Sequence, residues 1–167
     1  MEAAELALLA GAGVTALHTA VPLADASLMQ GLDAAQCSRL AALLQPRHLV
    51  AGERLFCQGD AGDRLYVVGA GSVSVFSSAA QPGTLRQRFA SFSPGMVLGE
   101  TAMLDHGGRT GDAVADCNAT VHSLDMAALQ QLLADDPVLC ALVYRNLALH
   151  LSQRLRAAAA AWRASTA

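Results

Sequence analysis

Glu100 and Arg109 stand nine residues apart in the stretch PGMVLGETAMLDHGGRTGDAVAD, Pro94 to Asp116. In a chain with only 15% charged residues, an acid and an arginine on either side of a glycine-rich bend invite a chemical reading. A helix beginning near Gly99 would turn its first N–H groups toward the bend, and those donors and the helix dipole favour an anion. The fork of an arginine matches two oxygens of a phosphate. A carboxylate repels the phosphate itself but accepts well from a hydroxyl beside it. An anion and a hydroxyl a few ångströms apart describe a sugar phosphate. The competing reading is a surface Glu–Arg pair worth about 0–1 kcal/mol, and spacing alone leaves both open.

Other chemistry finds little support. His106 lies inside the bend and reads as an exposed loop residue. His18, His48, His122 and His150 form no H-x-H and no cluster with a carboxylate, which argues against a metal enzyme built on a β-barrel. Cys37, Cys57, Cys117 and Cys140 are far apart, without C-x-x-C or zinc spacing, and read as free thiols in a reducing compartment. No Ser/His/Asp or Cys/His grouping is visible for nucleophilic catalysis, so the chain reads as a non-enzyme with no metal site. All eleven basic residues are arginine and the formal net charge is -3, an acidity that argues against a nucleic-acid partner. Arg154, Arg156 and Arg163 read as a solvated face, and Trp162 as a dimer contact or a frayed end.

The elements that position this stretch follow from the patterning. The 167 residues, 53% apolar, suffice for one domain with a hydrophobic core. The apolar start, residues 1–27, has Glu2 and Glu5 where an export signal needs Lys or Arg, and Gly11, Gly13, His18 and Pro22 interrupt it as a membrane span. It reads as a short helix and a linker, the tail of a preceding domain. Asp33 caps a helix through AAQCSRLAALL, with Leu40, Leu43 and Leu44 as its apolar stripe and Pro46 as its stop. The period then shortens, and strands are expected near 47–50, 54–57, 64–68 and 72–77. AAQPGT is a turn, LRQRFASFSPG a strand offering Leu85, Phe89 and Phe92 to the core, and RTGDAVAD and ATVHSLD are two more. Short strands with frequent turns predict a mainly β fold, a barrel or jelly roll. From Asp125 the helical period returns in MAALQQLLADD and in a long helix from Pro137, whose Val143, Leu147, Leu151 and Leu155 recur every four residues beside Leu139, Leu142 and Leu149. That stripe is wide enough for the barrel and for a second copy. No helix-turn-helix follows.

Two blocks in this order, GDRLYVVGAGSVSVF and PGMVLGETAML…GRTGDAVA, resemble the signature and the phosphate-binding cassette of the cyclic nucleotide-binding domain family. That family includes the catabolite activator protein and the regulatory subunits of protein kinase A. The resemblance runs from about Leu28 to Arg156, and the nine-residue step from Glu100 to Arg109 is its specific part. It implies an eight-stranded β jelly roll over 28–125, an N-terminal helix or linker over 1–27, and a C-terminal lid or dimerisation helix pair over 126–167. It places Arg109 on the cyclic phosphate, Glu100 on the ribose 2′-hydroxyl, and the N–H groups of Gly99 and Thr101 or Ala102 around the phosphate. Thr110 adds a hydroxyl, and Leu98 completes the ligand-binding set. The family carries Pro and Ala where this chain has Gly108 and Gly111, which predicts a looser loop, and Ser or Thr where it has Asp112. Leu98 stands where an aromatic is common. The resemblance implies a regulatory module that binds cAMP, with cGMP as second candidate, needs no cofactor, and couples binding to its C-terminal helices. The alternative is a degenerate module that binds no nucleotide and serves in dimerisation or docking. Similar bacterial modules are fused to transporters and glutaminases. The expected partners are therefore a membrane-protein or enzyme domain in the parent chain and a second copy through the last helix. The expected place is the cytoplasm or the cytoplasmic side of a membrane protein.

Overall fold

Asp33 begins the first helix as its position predicts. Its carboxylate accepts from the Gln36 N–H at 2.8 Å while the Gln36 side chain accepts from the Asp33 N–H at 3.1 Å, a reciprocal cap that satisfies two end donors of α1, Ala34–Ala41. The computed structural model describes residues 20–77 and 86–165, so the turn read at AAQPGT and the core place read for Leu85 lie outside the described residues. Before α1 the chain makes two 3₁₀ turns, Leu23–Asp25 and Ser27–Met29.

Helix α1 is shorter than its sequence pattern suggests. It ends at Ala41, and Leu44 belongs to the first strand, where it opposes Leu124. Pro46 does not end the helix; it lies inside β1, Leu44–Leu49, at the edge of its sheet, where a missing N–H costs little. The other strands are β2 Arg54–Phe56, β3 Arg64–Ala70, β4 Val73–Phe76, β5 Arg88–Phe92, β6 Val97–Leu98, β7 Asp112–Ala115 and β8 Ala119–Asp125. They form two four-stranded antiparallel sheets, ordered β1-β8-β3-β6 and β2-β7-β4-β5. This is the expected β jelly roll with flanking helices.

The alternation along β3 explains why its sequence is a continuous apolar run. Tyr66 and Val68 face the interior between the sheets, with Val73, Val75, Phe92, Leu98 and Val121. Leu65 and Val67 face the other way, into a second core with the helices. A strand covered on both faces has no position left for polar residues.

After β8, Asp125 accepts from the Ala128 N–H at 3.0 Å and caps α3, Met126–Ala134, leading to the long α4, Pro137–Ser165. A short α2, Glu100–Asp105, lies between β6 and β7. The core uses only the first half of the α4 stripe: Leu139, Val143 and Leu147 are fully buried, whereas Leu155 is 72% exposed. Among the described residues no helix is long and apolar enough to cross a membrane, and all four cysteines are free thiols.

Helix α4 also holds the N-terminal turns. Asn146, buried, donates to the carbonyls of Leu28 at 3.0 Å and Gln30 at 2.8 Å. Asn146→Ala leaves those carbonyls without this donor, and we expect a loss of about 1–3 kcal/mol in urea unfolding. An unchanged midpoint would show that water replaces the amide.

Candidate functional site

The turn from β6 into α2 is built around Gly99. Its φ is +87°, and a Cβ there would meet Arg109 Nη1 at 2.4 Å and the Arg64 carbonyl at 3.2 Å. Only glycine lets the backbone come this close to the guanidinium. Glu100 follows directly and is fully buried.

Arg109 is 4% exposed. Its backbone is clamped to the turn after β2: its N–H donates to the Asp60 carbonyl and its carbonyl accepts from the Gly59 N–H, both at 2.9 Å. Nη2 donates to the Arg64 carbonyl at 2.7 Å and Nη1 to the Gly99 carbonyl at 3.3 Å. The guanidinium lies 4.4 Å from the Phe56 ring centroid and 5.6 Å from that of Tyr66, and the two rings stack on each other. Burial pulls its pKa below the usual guanidinium value, opposed by Tyr66, Asp63, Asp60 and Glu100.

Glu100 does not pair with Arg109. Its Oε1 accepts from Arg154, which reaches in from α4 and lies 4.7 Å from the Phe92 ring centroid. Burial raises the Glu100 pKa, and the Arg154 charge opposes that rise. Two polar atoms are left over: Glu100 Oε2 and Arg109 Nε have no hydrogen-bond partner among the described residues. One is an acceptor and the other a donor, and a buried polar group without a partner in the protein calls for one from outside it, a water or a ligand.

Both residues line one small cavity. Leu98, Gly99, Thr101, Ala102 and Thr110 line it too, so the structure brings the whole sequence-predicted set together. His106 is exposed and, like Trp162, is not among the lining residues. Residues outside that set face the cavity too, Phe56, Phe89 and Arg154 among them. Phe89, expected in the core, is 47% exposed. Arg154, expected on a solvated face, points inward. A signal for it existed: Asn146, His150 and Arg154 recur every four residues, a polar ridge on the inner side of α4.

The glycines of the bend tighten it rather than loosen it. A Cβ at Gly108 would stand 3.1 Å from the Gly59 carbonyl oxygen, and one at Gly111 would stand 2.6 Å from the Phe76 carbonyl oxygen and 2.7 Å from Phe89 Cζ. Both lie where another element packs closely. Asp112 does not line the cavity. With Ala113 and Ala115 in the interior, strand parity turns it to the other face of β7. There it accepts from the Gln58 N–H at 2.8 Å and pairs with Arg86.

The model of the cyclic nucleotide-binding domain matches residues 46–136, a span that contains both Glu100 and Arg109. The chain belongs to the cyclic nucleotide-binding domain family. Over 129 residues it is 31% identical to the CRP-like cAMP-activated global transcriptional regulator of Mycobacterium tuberculosis, covering 77% of this chain and 57% of that protein. Over 146 residues it is 31% identical to glutaminase 2 of Bradyrhizobium diazoefficiens, covering 87% of this chain and 22% of that one. The crystal structure of the Thermus thermophilus catabolite activator protein is similar with a TM-score of 0.68 and 30% identity, over 84% of this chain and 63% of that chain. The chain thus spans little more than half the length of the first of these relatives. Within the domain, the cavity lies where β6, α2 and the bend before β7 meet α4.

His150 stands one turn before Arg154, buried, with neither ring nitrogen partnered among the described residues. Burial, with help from the Arg154 charge, pushes its pKa down to about 4. An unfolded histidine takes its proton near pH 6.5, so between that value and about 4 the unfolded chain holds more protons than the folded one. This contribution to stability is intact above the upper value and is lost as pH falls through the window. The stability of wild type relative to His150→Leu should therefore drop on acidification, as measured by urea unfolding at a series of pH values. Parallel curves would contradict the assignment.

Proposed function

We propose that the chain is a regulatory domain that binds a cyclic nucleotide, cAMP first and cGMP as the second candidate, and passes the binding event to α4. The observation that carries this reading is the pair of orphaned buried atoms, Glu100 Oε2 and Arg109 Nε, facing one cavity. Arg109 would take the cyclic phosphate along its Nε edge, because its Nη groups are already committed to two carbonyls. Glu100 Oε2 would accept from the ribose 2′-hydroxyl, while Oε1 stays with Arg154. The charged lining groups, two arginines and one carboxylate, leave one net positive charge, which matches the single negative charge of a cyclic phosphodiester. Thr110 is exposed at the rim and would add a hydroxyl to the phosphate or base. No residue here calls for a cofactor.

Coupling would run through Arg154. Ligand on Glu100 changes the environment of the guanidinium through which the second half of α4 reaches the site. A ligand that binds one arrangement of this contact better than another shifts the population of α4 positions. The exposed Leu149, Leu155 and Trp162 also favour a homodimer through this helix. The cAMP-linked names among the relatives support the choice of ligand, and the glutaminase match supports work as the regulatory part of a larger protein.

Calorimetry tests the reading directly. Arg109→Ala should weaken cAMP binding about a hundredfold or more, since a charge-assisted bond and the charge balance are both lost. Arg154→Ala should weaken it about tenfold and abolish any ligand effect on amide exchange in α4. No heat from wild type with cAMP or cGMP at hundreds of micromolar would leave the docking-module alternative in its place.

A further inference from the structure

We propose that Asp112, which does not line the cavity, is a positioning residue for Arg109: its carboxylate fixes the turn after β2, and that turn holds the Arg109 main chain. This inference rests on the nucleotide reading above for the role of Arg109. Strands β2 and β7 pair through Arg54–Val114 and Phe56–Ala113, and the register slips between those pairs. β2 ends at Phe56, and the side chain of Asp112 takes the next main-chain donor: Oδ1 accepts from the Gln58 N–H at 2.8 Å. The residues that follow, Gly59 and Asp60, carry the two backbone bonds to Arg109. Three hydrogen bonds therefore join residues 58–60 to residues 109–112, and the one from Asp112 ties them to β7.

A carboxylate is an unexpected choice for this position. Aspartate is a poor strand former, and a charge at 5% exposure is costly without partners. A residue that breaks both local rules points to a role set by the wider structure. Its two oxygens serve two neighbours: Oδ1 holds Gln58, and Oδ2 pairs with Arg86, which comes from the approach to β5. A serine or threonine could accept from Gln58 but could not balance the Arg86 charge. Asp112 also stands opposite Phe76 of β4 in register, so three parts of the chain meet it three residues after Arg109. It faces away from the cavity, and steadies the bend without setting a second negative charge against a phosphate.

The bend needs such a tie. Gly108 and Gly111 flank Arg109 and Thr110, where neighbouring backbone leaves no room for a Cβ. The same glycines remove the side-chain restraint that would otherwise narrow the conformations of the bend. Close packing thus demands residues that loosen the chain, and the bonds from 58–60 hold it instead. The turn is closed on itself, with the Cys57 N–H on Asp60 Oδ2 at 2.8 Å, so it moves as one piece. Phe56, whose ring centroid lies 4.4 Å from the Arg109 guanidinium, runs directly into it. Freeing Gln58 from Asp112 would unsettle both the main chain of Arg109 and the ring its side chain rests on, and with them the direction of Nε.

The test combines calorimetry with cAMP and amide hydrogen exchange, both on the full chain, for Asp112→Ala and Asp112→Asn. Asp112→Ala should weaken cAMP about tenfold and speed exchange at the Gly59 and Arg109 N–H groups well beyond any change in β3. Asp112→Asn keeps an oxygen for Gln58 and should recover most of both. Faster exchange spread evenly over the domain would assign Asp112 to general stability and overturn the inference. Unchanged affinity in Asp112→Ala, or equal losses in the two variants, would overturn it too and leave the nucleotide reading standing. If wild type binds neither cAMP nor cGMP, the nucleotide reading falls and exchange alone decides: local speeding at Gly59 and Arg109 keeps the positioning role, and its absence removes it. Should Asp112→Ala fail to fold, Asp112→Ser, whose hydroxyl is one atom short of Oδ1, should show the same local pattern at smaller size, and a variant without that pattern would contradict the assignment.

Discussion

Removing the Arg109 guanidinium from water is the constraint around which this domain is arranged. At 4% exposure a cation needs compensation, and it finds two backbone carbonyls, two stacked aromatic rings and a buried carboxylate nearby. These come from three parts of the chain: β2, β3 and the turn after β6. The carbonyls belong to Arg64 at the start of β3 and to Gly99 after β6; the rings come from β2 and β3. Gly99 must be left-handed and lack a Cβ for the contact to form at all. The turn after β2 must be held against the bend, which the paired backbone bonds to Gly59 and Asp60 accomplish. The compensation is nevertheless incomplete. An unpartnered Nε in a well-packed interior is a standing cost, and so is the unpartnered Oε2 of Glu100 beside it. Such costs are expected where a ligand supplies the missing partners.

The same logic joins the sheets to the long helix. Glu100 has no exposure of its own, so its charge depends on Arg154 from α4. The first half of α4 is fixed by Leu139, Val143 and Leu147 and by Asn146, which grips the N-terminal turns. The second half reaches the site through Arg154. The proposed coupling needs only this arrangement: a helix held in the core at one end and tied to the cavity by an ion pair further along. The polar ridge of Asn146, His150 and Arg154 is the physical line from N-terminal turns to cavity.

Much of this was legible in the residues and some was not. The shortened period through 47–77 and the capping aspartates at 33 and 125 pointed to the elements, and the nine-residue step from Glu100 to Arg109 pointed to two residues that line one cavity. The end of α1 was misjudged because Leu43 and Leu44 continue a helical spacing, while pairing with β8 claims Leu44 for a strand. Pro46 looked like a helix stop because its tolerance at a sheet edge depends on which strand lies outermost, a long-range fact. Arg154 looked solvated because its partner is 54 residues away and buried. Gly108 and Gly111 suggested looseness because a sequence does not show the backbone of Gly59 and the ring of Phe89 pressed against them. Local rules succeeded where neighbours in sequence decide the outcome and failed where the deciding neighbour comes from another sheet or helix.

The most direct measurement is a crystal structure of the protein grown with saturating cAMP. The account predicts the cyclic phosphate within hydrogen-bonding distance of Arg109 Nε and the ribose 2′-hydroxyl on Glu100 Oε2, with Arg154 still on the same carboxylate. Nucleotide density elsewhere, or an empty cavity with both atoms still unpartnered at saturating ligand, would contradict it.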